Sequence, residues 1–173
     1  NCFVGSTPER LFARDNRLLF TEALAGTAPV SDNPLENDER ANWLLNDEKN
    51  LNENWLVVED ISQNISHLAE QITVDDVALK SLRKVQHLIR KMQAKLTALC
   101  TDADLLKAIH PTAAVSGLPQ QQAKKALAEI ETFDRRWYAG TLGVMSQHLS
   151  EFCVTIRSAF IEENQVRVFA GAG

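Results

Sequence analysis

Apolar residues change period along this chain, and the change commits it to helices set among antiparallel strands. Residues 2–5, 10–14 and 17–24 are short apolar or mixed runs separated by Thr7-Pro8 and Asp15-Asn16, the punctuation of antiparallel strands joined by turns. Further on, Leu51, Trp55, Val58, Ile61 or Ser62, Ile65 and Leu68 recur at steps of three or four, so residues 38–70 read as helical with one buried stripe. Glu53, Val57 and Asp60 fall on a different face of that helix. Between the two regimes, Thr27 to Asp38 is rich in Pro, Asn and Asp with no apolar period and reads as a surface loop.

Residues 77–99 fit two patterns. Leu79, Leu82, Val85, Ile89, Met92 and Leu96 suit a helix, whereas Val85, His87 and Ile89 against Gln86, Leu88 and Arg90 suit a strand. A short helix is expected over Asp102 to Ile109, and Pro119 opens another through Gln120 to Ile130. The rest reads as mostly extended, with Phe152 to Arg157 and Gln165 to Phe169 forming a hairpin around Glu162-Glu163-Asn164.

With 173 residues, 45% of them hydrophobic, the chain has the length of one domain and can bury an ordinary core. Its formal charge of -5 supplies no general field for nucleic acid or an anionic membrane, so an anionic ligand must be held by local groups. Cys2, Cys100 and Cys153 are odd in number and widely spaced, which disfavours a disulfide framework or a structural zinc and suits a reducing cytoplasm. There is no long apolar run and no basic and apolar leader pattern. The opening Cys2-Phe3-Val4-Gly5 and the closing Phe169-Ala170-Gly171-Ala172-Gly173 read as interior segments, so the chain is expected to be part of a longer protein.

A few residues stand out as chemistry. Glu9 follows Gly5-Ser6-Thr7-Pro8, where a neighbouring proline fixes its direction, and Glu48 with Glu53 offers oxygen ligands for a hard cation. By residue type alone these are equally solvated carboxylates. His87 lies in an apolar run and His110 precedes Pro111, while His67 and His148 have polar or irregular neighbours; lone histidines are more often structural than catalytic. Arg157 sits in what reads as an apolar strand and needs an anionic partner, since an unpaired buried charge is costly. Gly171 and Gly173 would let backbone N–H groups approach a small anion.

Taken in order, Gly5-Ser6-Thr7-Pro8-Glu9, Leu24-Ala25-Gly26-Thr27, Glu48-Lys49-Asn50 with Glu53, Val85-Gln86-His87-Leu88, the run from His110 to Pro119, Trp137-Tyr138-Ala139-Gly140, Ile156-Arg157 and the final Phe169 to Gly173 resemble the chorismate-utilising enzymes from end to end. The runs from His110 to Gln121 and from Arg136 to Gly140 are most similar to the versions in menaquinone-pathway isochorismate synthases. The members that use ammonia carry threonine where this chain has Ala114 and lysine where it has Gln120, which points to water as the nucleophile.

The resemblance implies an α+β fold in which two antiparallel sheets pack face to face with helices outside, and it makes residues 77–99 extended. Residues 1–173 would be part of a single chorismate-binding catalytic domain lacking its N-terminal part and its C-terminal end. The implied activity is conversion of chorismate to isochorismate in the cytoplasm, for menaquinone, with no nucleic acid or membrane partner. Glu9 would be the general acid and Glu53 a ligand for Mg2+. Tyr138, Arg157 and Gly171 would hold the enolpyruvyl carboxylate, and Gly26, Thr27, His87 and Ala114 would line the same pocket. The family's water-activating lysine falls before position 1 and its second metal glutamate after Gly173, so this stretch by itself is expected to be inactive. The alternatives are a siderophore-pathway isochorismate synthase, a salicylate or anthranilate-type enzyme, or an inactive folded fragment.

Overall fold

The computed structural model describes residues 1–170. The chain reverses at Asn16, whose φ of 51° is a left-handed value that asparagine tolerates well. The reversal pairs β2 (Arg10–Asp15) with β3 (Leu18–Pro29), Asp15 opposite Leu18. On its other edge β3 pairs with β6 (Val85–Leu96), and the far edge of β6 is shared by β4 (Ala69–Val74) and β5 (Ala78–Ser81). β8 (Leu149–Val154) pairs with β2, and β7 (Thr141–Met145) closes that side, giving a seven-stranded antiparallel sheet. A second sheet holds β1 (Cys2–Gly5), β9 (Ser158–Glu162) and β10 (Gln165–Val168), with β9 in the middle. The helices are α1 (Pro34–Asn46), α2 (Glu48–Ile65), α3 (Asp102–Ile109), α4 (Ala113–Ser116) and α5 (Gln120–Ile130). The fold is therefore α+β with two antiparallel sheets. None of the described helices is long and apolar enough to cross a membrane.

Residues 85–96 are strand, as the resemblance implied, because β6 is hydrogen-bonded along both edges and that pairing outweighs its helix-like spacing. Leu88, Met92, Ala94 and Leu96 are buried at alternate positions of β6, as are Leu19 and Ala23 on β3. Most of these join one core with Val57, Val58, Ile61 and Ile65 of α2, and with Leu105 and Ile109 of α3. Each fully buried aliphatic side chain there contributes ~1.5–3 kcal/mol. α3 is fixed at its start by a capping box, Thr101 accepting from the Asp104 N–H and Asp104 accepting from that of Thr101.

Several sequence expectations need correction. The helical region is two helices starting at Pro34, and the break falls at Asp47, whose carboxylate accepts from the Asn50 N–H at 2.9 Å and restarts the helix. The buried face of α2 runs through Asn54, Val57 and Val58, not Trp55, which is 44% exposed with the Arg90 guanidinium 5.3 Å from its ring centre. The stretch 27–38 is only partly loop, since β3 continues to Pro29. The hairpin partner of residues 165–168 is β9; residues 152–154 belong to the larger sheet. β1 likewise pairs with β9 rather than with β2. Arg157 lies in no strand: it is exposed, at φ 50°, where the chain passes from one sheet to the other.

Candidate functional site

The site begins at an irregularity in β3. Between Ala25 and Thr27 the register with β6 shifts by one residue, and Gly26 takes up the extra length at φ 83°. A Cβ at Gly26 would stand 3.1 Å from Asn50 Cβ and 3.2 Å from Leu88 Cδ1, so α2 closes directly over the bulge. Beyond it, Thr27 faces His87, and His87 in turn faces Lys80 of β5, a cross-strand row on one face of the sheet. Thr27 Oγ1 and His87 Nδ1 are 2.8 Å apart. Burial lowers the proton affinity of His87, and the charges of Arg157 and Lys80 lower it further, against a hydrogen bond to the Gly26 backbone. The ring is therefore biased toward its neutral form.

Glu9 lies on the connection from β1 to β2. Ser6 N–H donates to the Arg157 carbonyl at 3.1 Å, Val154 N–H donates to the Glu9 carbonyl at 3.1 Å, and the Glu9 N–H donates to Thr7 Oγ1 at 3.2 Å. These bonds hold Glu9 against the junction between the two sheets. Burial raises the proton affinity of its carboxyl, and the Glu22 carboxylate raises it further. The Thr112 hydroxyl and Lys80 act in the opposite direction. Thr112 Oγ1 is buried beside Glu9, and the net direction for the Glu9 carboxyl is a raised proton affinity. A cavity of about 590 Å³ opens beside Glu9 toward Gly143 and Phe152. Gly143 has no room for a Cβ there, which would stand 2.3 Å from the Glu151 carbonyl oxygen.

Arg157 and Tyr138 come from neighbouring segments. Ala139 N–H donates to the Thr155 carbonyl and Thr155 N–H to the Gly140 carbonyl, both at 3.0 Å, which ties the Tyr138 turn to the strand end just before Arg157. The Tyr138 ring stacks on Phe169 at 5.0 Å between centroids. Arg157 forms no ion pair among the described residues, so of the two partners that would satisfy it, a ligand carboxylate or an internal Asp or Glu, the internal one is not found there. Its guanidinium is near enough to His87 to disfavour a second positive charge.

The remaining expected residues are placed less centrally. Ala114 is exposed on the short helix α4, two residues after Thr112. Glu53 lies on the flank of the buried face of α2, its side chain 49% exposed and 3.7 Å from Lys49 Nζ. No group of three or more His, Cys, Asp or Glu side chains suited to a metal occurs among the described residues. Gly171 lies outside the described residues. Glu22, Lys80 and Thr112 were not singled out from the sequence. The available signal was a charged residue, Glu22, within the apolar run Leu18 to Leu24.

The profile of the chorismate binding enzyme family matches residues 1–173, and the chain belongs to that family. It is 72% identical over 171 residues to isochorismate synthase MenF of Haemophilus influenzae, covering 99% of this chain and 40% of that protein. The structure of the menaquinone-specific isochorismate synthase MenF from Escherichia coli superposes with a TM-score of 0.93 at 45% identity, covering 98% of this chain and 40% of that one. Anthranilate synthase component I from Streptococcus pneumoniae superposes at 0.81 with 28% identity, over 91% of this chain and 35% of its own. The chain thus spans about two fifths of the length of the curated relatives it matches.

Proposed function

We propose that the protein carrying this segment is an isochorismate synthase of menaquinone biosynthesis, acting on chorismate in the cytoplasm. Water adds at ring carbon C2 and gives one proton to a base outside this segment, the ring double bonds shift, and the C4 hydroxyl departs as water after accepting a proton. Glu9 is the proton donor. The observation that carries this reading is the environment of Glu9, half-buried, fixed by backbone bonds and with its proton affinity raised by burial, the direction that suits a donor to a leaving hydroxyl. Arg157, exposed and in no ion pair among the described residues, would pair with the side-arm carboxylate of the substrate, and Tyr138 borders the same turn. Neutral His87, bonded to Thr27, and the Gly26 bulge form the adjoining wall. Ala114, and Gly171 beyond the described residues, complete the proposed contacts.

Glu53 suits Mg2+ as a single hard oxygen donor open to solvent, because this ion keeps several waters and needs only one or two carboxylates besides the substrate. When bound, Mg2+ offsets the charge of the ring carboxylate. Lys49 beside Glu53 keeps the free carboxylate compensated until then.

The relatives split between isochorismate and anthranilate chemistry, so the decisive test is product analysis. The full-length enzyme is incubated with chorismate and Mg2+, with and without ammonium. Isochorismate is expected under both conditions; accumulation of anthranilate or salicylate would overturn the proposal.

A further inference from the structure

Phe169 directly follows β10 and is 8% exposed, yet none of the proposed steps employs it. Its ring lies against that of Tyr138 with 5.0 Å between centroids and 10° between planes, an offset stack of the kind aromatic pairs prefer. Among the described residues no other ring meets Tyr138. Phe169 is itself held by Phe160 of β9 at 6.2 Å and by Phe133 at 6.3 Å. Its N–H donates to the carbonyl of Ser158, the residue after Arg157, at 3.4 Å. One residue thus touches both arms of the proposed carboxylate clamp, the Tyr138 ring through its side chain and the Arg157 segment through its backbone. The turn that bears Tyr138 needs such an outside hold. Arg136 and Ala139, on either side of Trp137-Tyr138, have φ of 49° and 59°, left-handed values that persist in non-glycine residues only where the surroundings impose them.

We propose that Phe169 is a positioning residue whose ring sets the direction of the Tyr138 phenol, so that phenol and Arg157 guanidinium act together on the side-arm carboxylate of the substrate. This rests on the reading of Tyr138 as a substrate contact. A tyrosine ring turns between a few staggered positions, and a flat neighbour in stacking contact favours the one that keeps the two planes parallel. An aliphatic side chain in the same space has no plane to match, and the ring is then free to take its other positions. A hydrogen bond weakens steeply as its angle departs from linear, so a misdirected phenol holds a carboxylate less well. That carboxylate is on the side arm, away from the ring carbons that react. The loss therefore falls on ground state and transition state alike and is seen in KM rather than in kcat.

The test is a double-mutant cycle between Phe169→Leu and Tyr138→Phe in the full-length enzyme, read as kcat and KM for chorismate at saturating Mg2+. Tyr138→Phe removes the hydroxyl and keeps the stack, and is expected to raise KM about tenfold. Phe169→Leu is expected to raise KM about three- to tenfold with kcat within about twofold, and to add less than about twofold in the Tyr138→Phe background. Phe169→Tyr, which keeps a flat ring, is expected to restore KM to within about twofold. Phe133→Leu, which removes a ring that meets Phe169 and not Tyr138, is expected to leave KM as it is. If Phe169→Leu does not fold, Phe169→Met, closer in volume and equally without a ring, takes its place in the cycle. A normal KM in Phe169→Leu beside a raised one in Tyr138→Phe, or two increases that simply multiply, would overturn the proposal and leave Tyr138 as a substrate contact. A normal KM in Tyr138→Phe would remove Tyr138 from the substrate site, and the role of Phe169 with it.

Discussion

Asn54 is the only fully polar position on the buried face of α2, and replacing it tests how the helix is held on the sheet that carries the site. It is fully buried; its Nδ2 donates to the Ala23 and Leu88 carbonyls at 3.0 and 3.2 Å, and its Oδ1 accepts from Arg90 Nη1 at 2.5 Å. Asn54→Leu keeps the shape and removes these three bonds together with a longer one from Nδ2 to the Ala25 carbonyl at 3.4 Å. A bond to a charged group is worth ~1.5–3 kcal/mol and a neutral one ~1 kcal/mol, giving roughly 3–5 kcal/mol lost. Better burial of leucine returns about 1–2 kcal/mol. The net loss is then about 1–4 kcal/mol, read as a fall of the thermal midpoint of the full-length protein by roughly 2–8 °C. A double-mutant cycle with Arg90→Met isolates the Asn54–Arg90 contact and is expected to give a coupling of ~1.5–3 kcal/mol. A coupling below ~0.5 kcal/mol would refute the reasoning, because the two losses would then be independent.

Two further outcomes follow from the same structure. Arg14 grips Asp102 through Nε to Oδ1 at 2.6 Å and Nη2 to Oδ2 at 2.8 Å, and Ser150 Oγ donates to Oδ1 at 2.7 Å, joining β2, β8 and α3. The Arg14 bond holds the Asp102 carboxyl below the usual carboxylate range. Its contribution to stability is therefore present above the unfolded value of about 3.9 and is lost as pH falls through the depressed folded value. Asp102→Asn is expected to flatten the acid limb of a denaturation series and to cost ~3–5 kcal/mol near neutral pH by leaving Arg14 unpaired, and an unchanged acid limb would count against it. Glu53→Gln is expected to raise the Mg2+ concentration for half-maximal activity roughly tenfold or more, with little change in melting temperature because the side chain is half exposed; an unaltered Mg2+ dependence would remove Glu53 from the metal site.

Much of the fold was legible because local chemistry decided it. Thr101 and Asp104 cap α3, which begins and ends where the sequence indicated, as α5 does after Pro119. Asn16 marks the β2–β3 turn. Periodicity failed where a long-range contact overrode it. Asn54 occupies the centre of the buried face because sheet carbonyls and Arg90 satisfy it, which displaces Trp55 outward. The apolar run from Phe152 to Arg157 looks continuous, yet the chain leaves one sheet at Arg157 in a left-handed conformation and enters the other. Of the site, Thr27 with His87 meet as neighbours in the β3–β6 register. Glu22 and Lys80 were not legible at all, since their pairing spans an intervening strand and 58 positions of sequence.

The central claim is that one carboxylic acid, Glu9, supplies the proton that releases the ring hydroxyl. Single-turnover conversion of chorismate by full-length Glu9→Gln, with Mg2+ saturating and substrate binding measured in parallel, tests it most directly. The account predicts chorismate bound within a few-fold of normal and isochorismate formed at least ~100-fold more slowly. Near-normal conversion by that variant would contradict it.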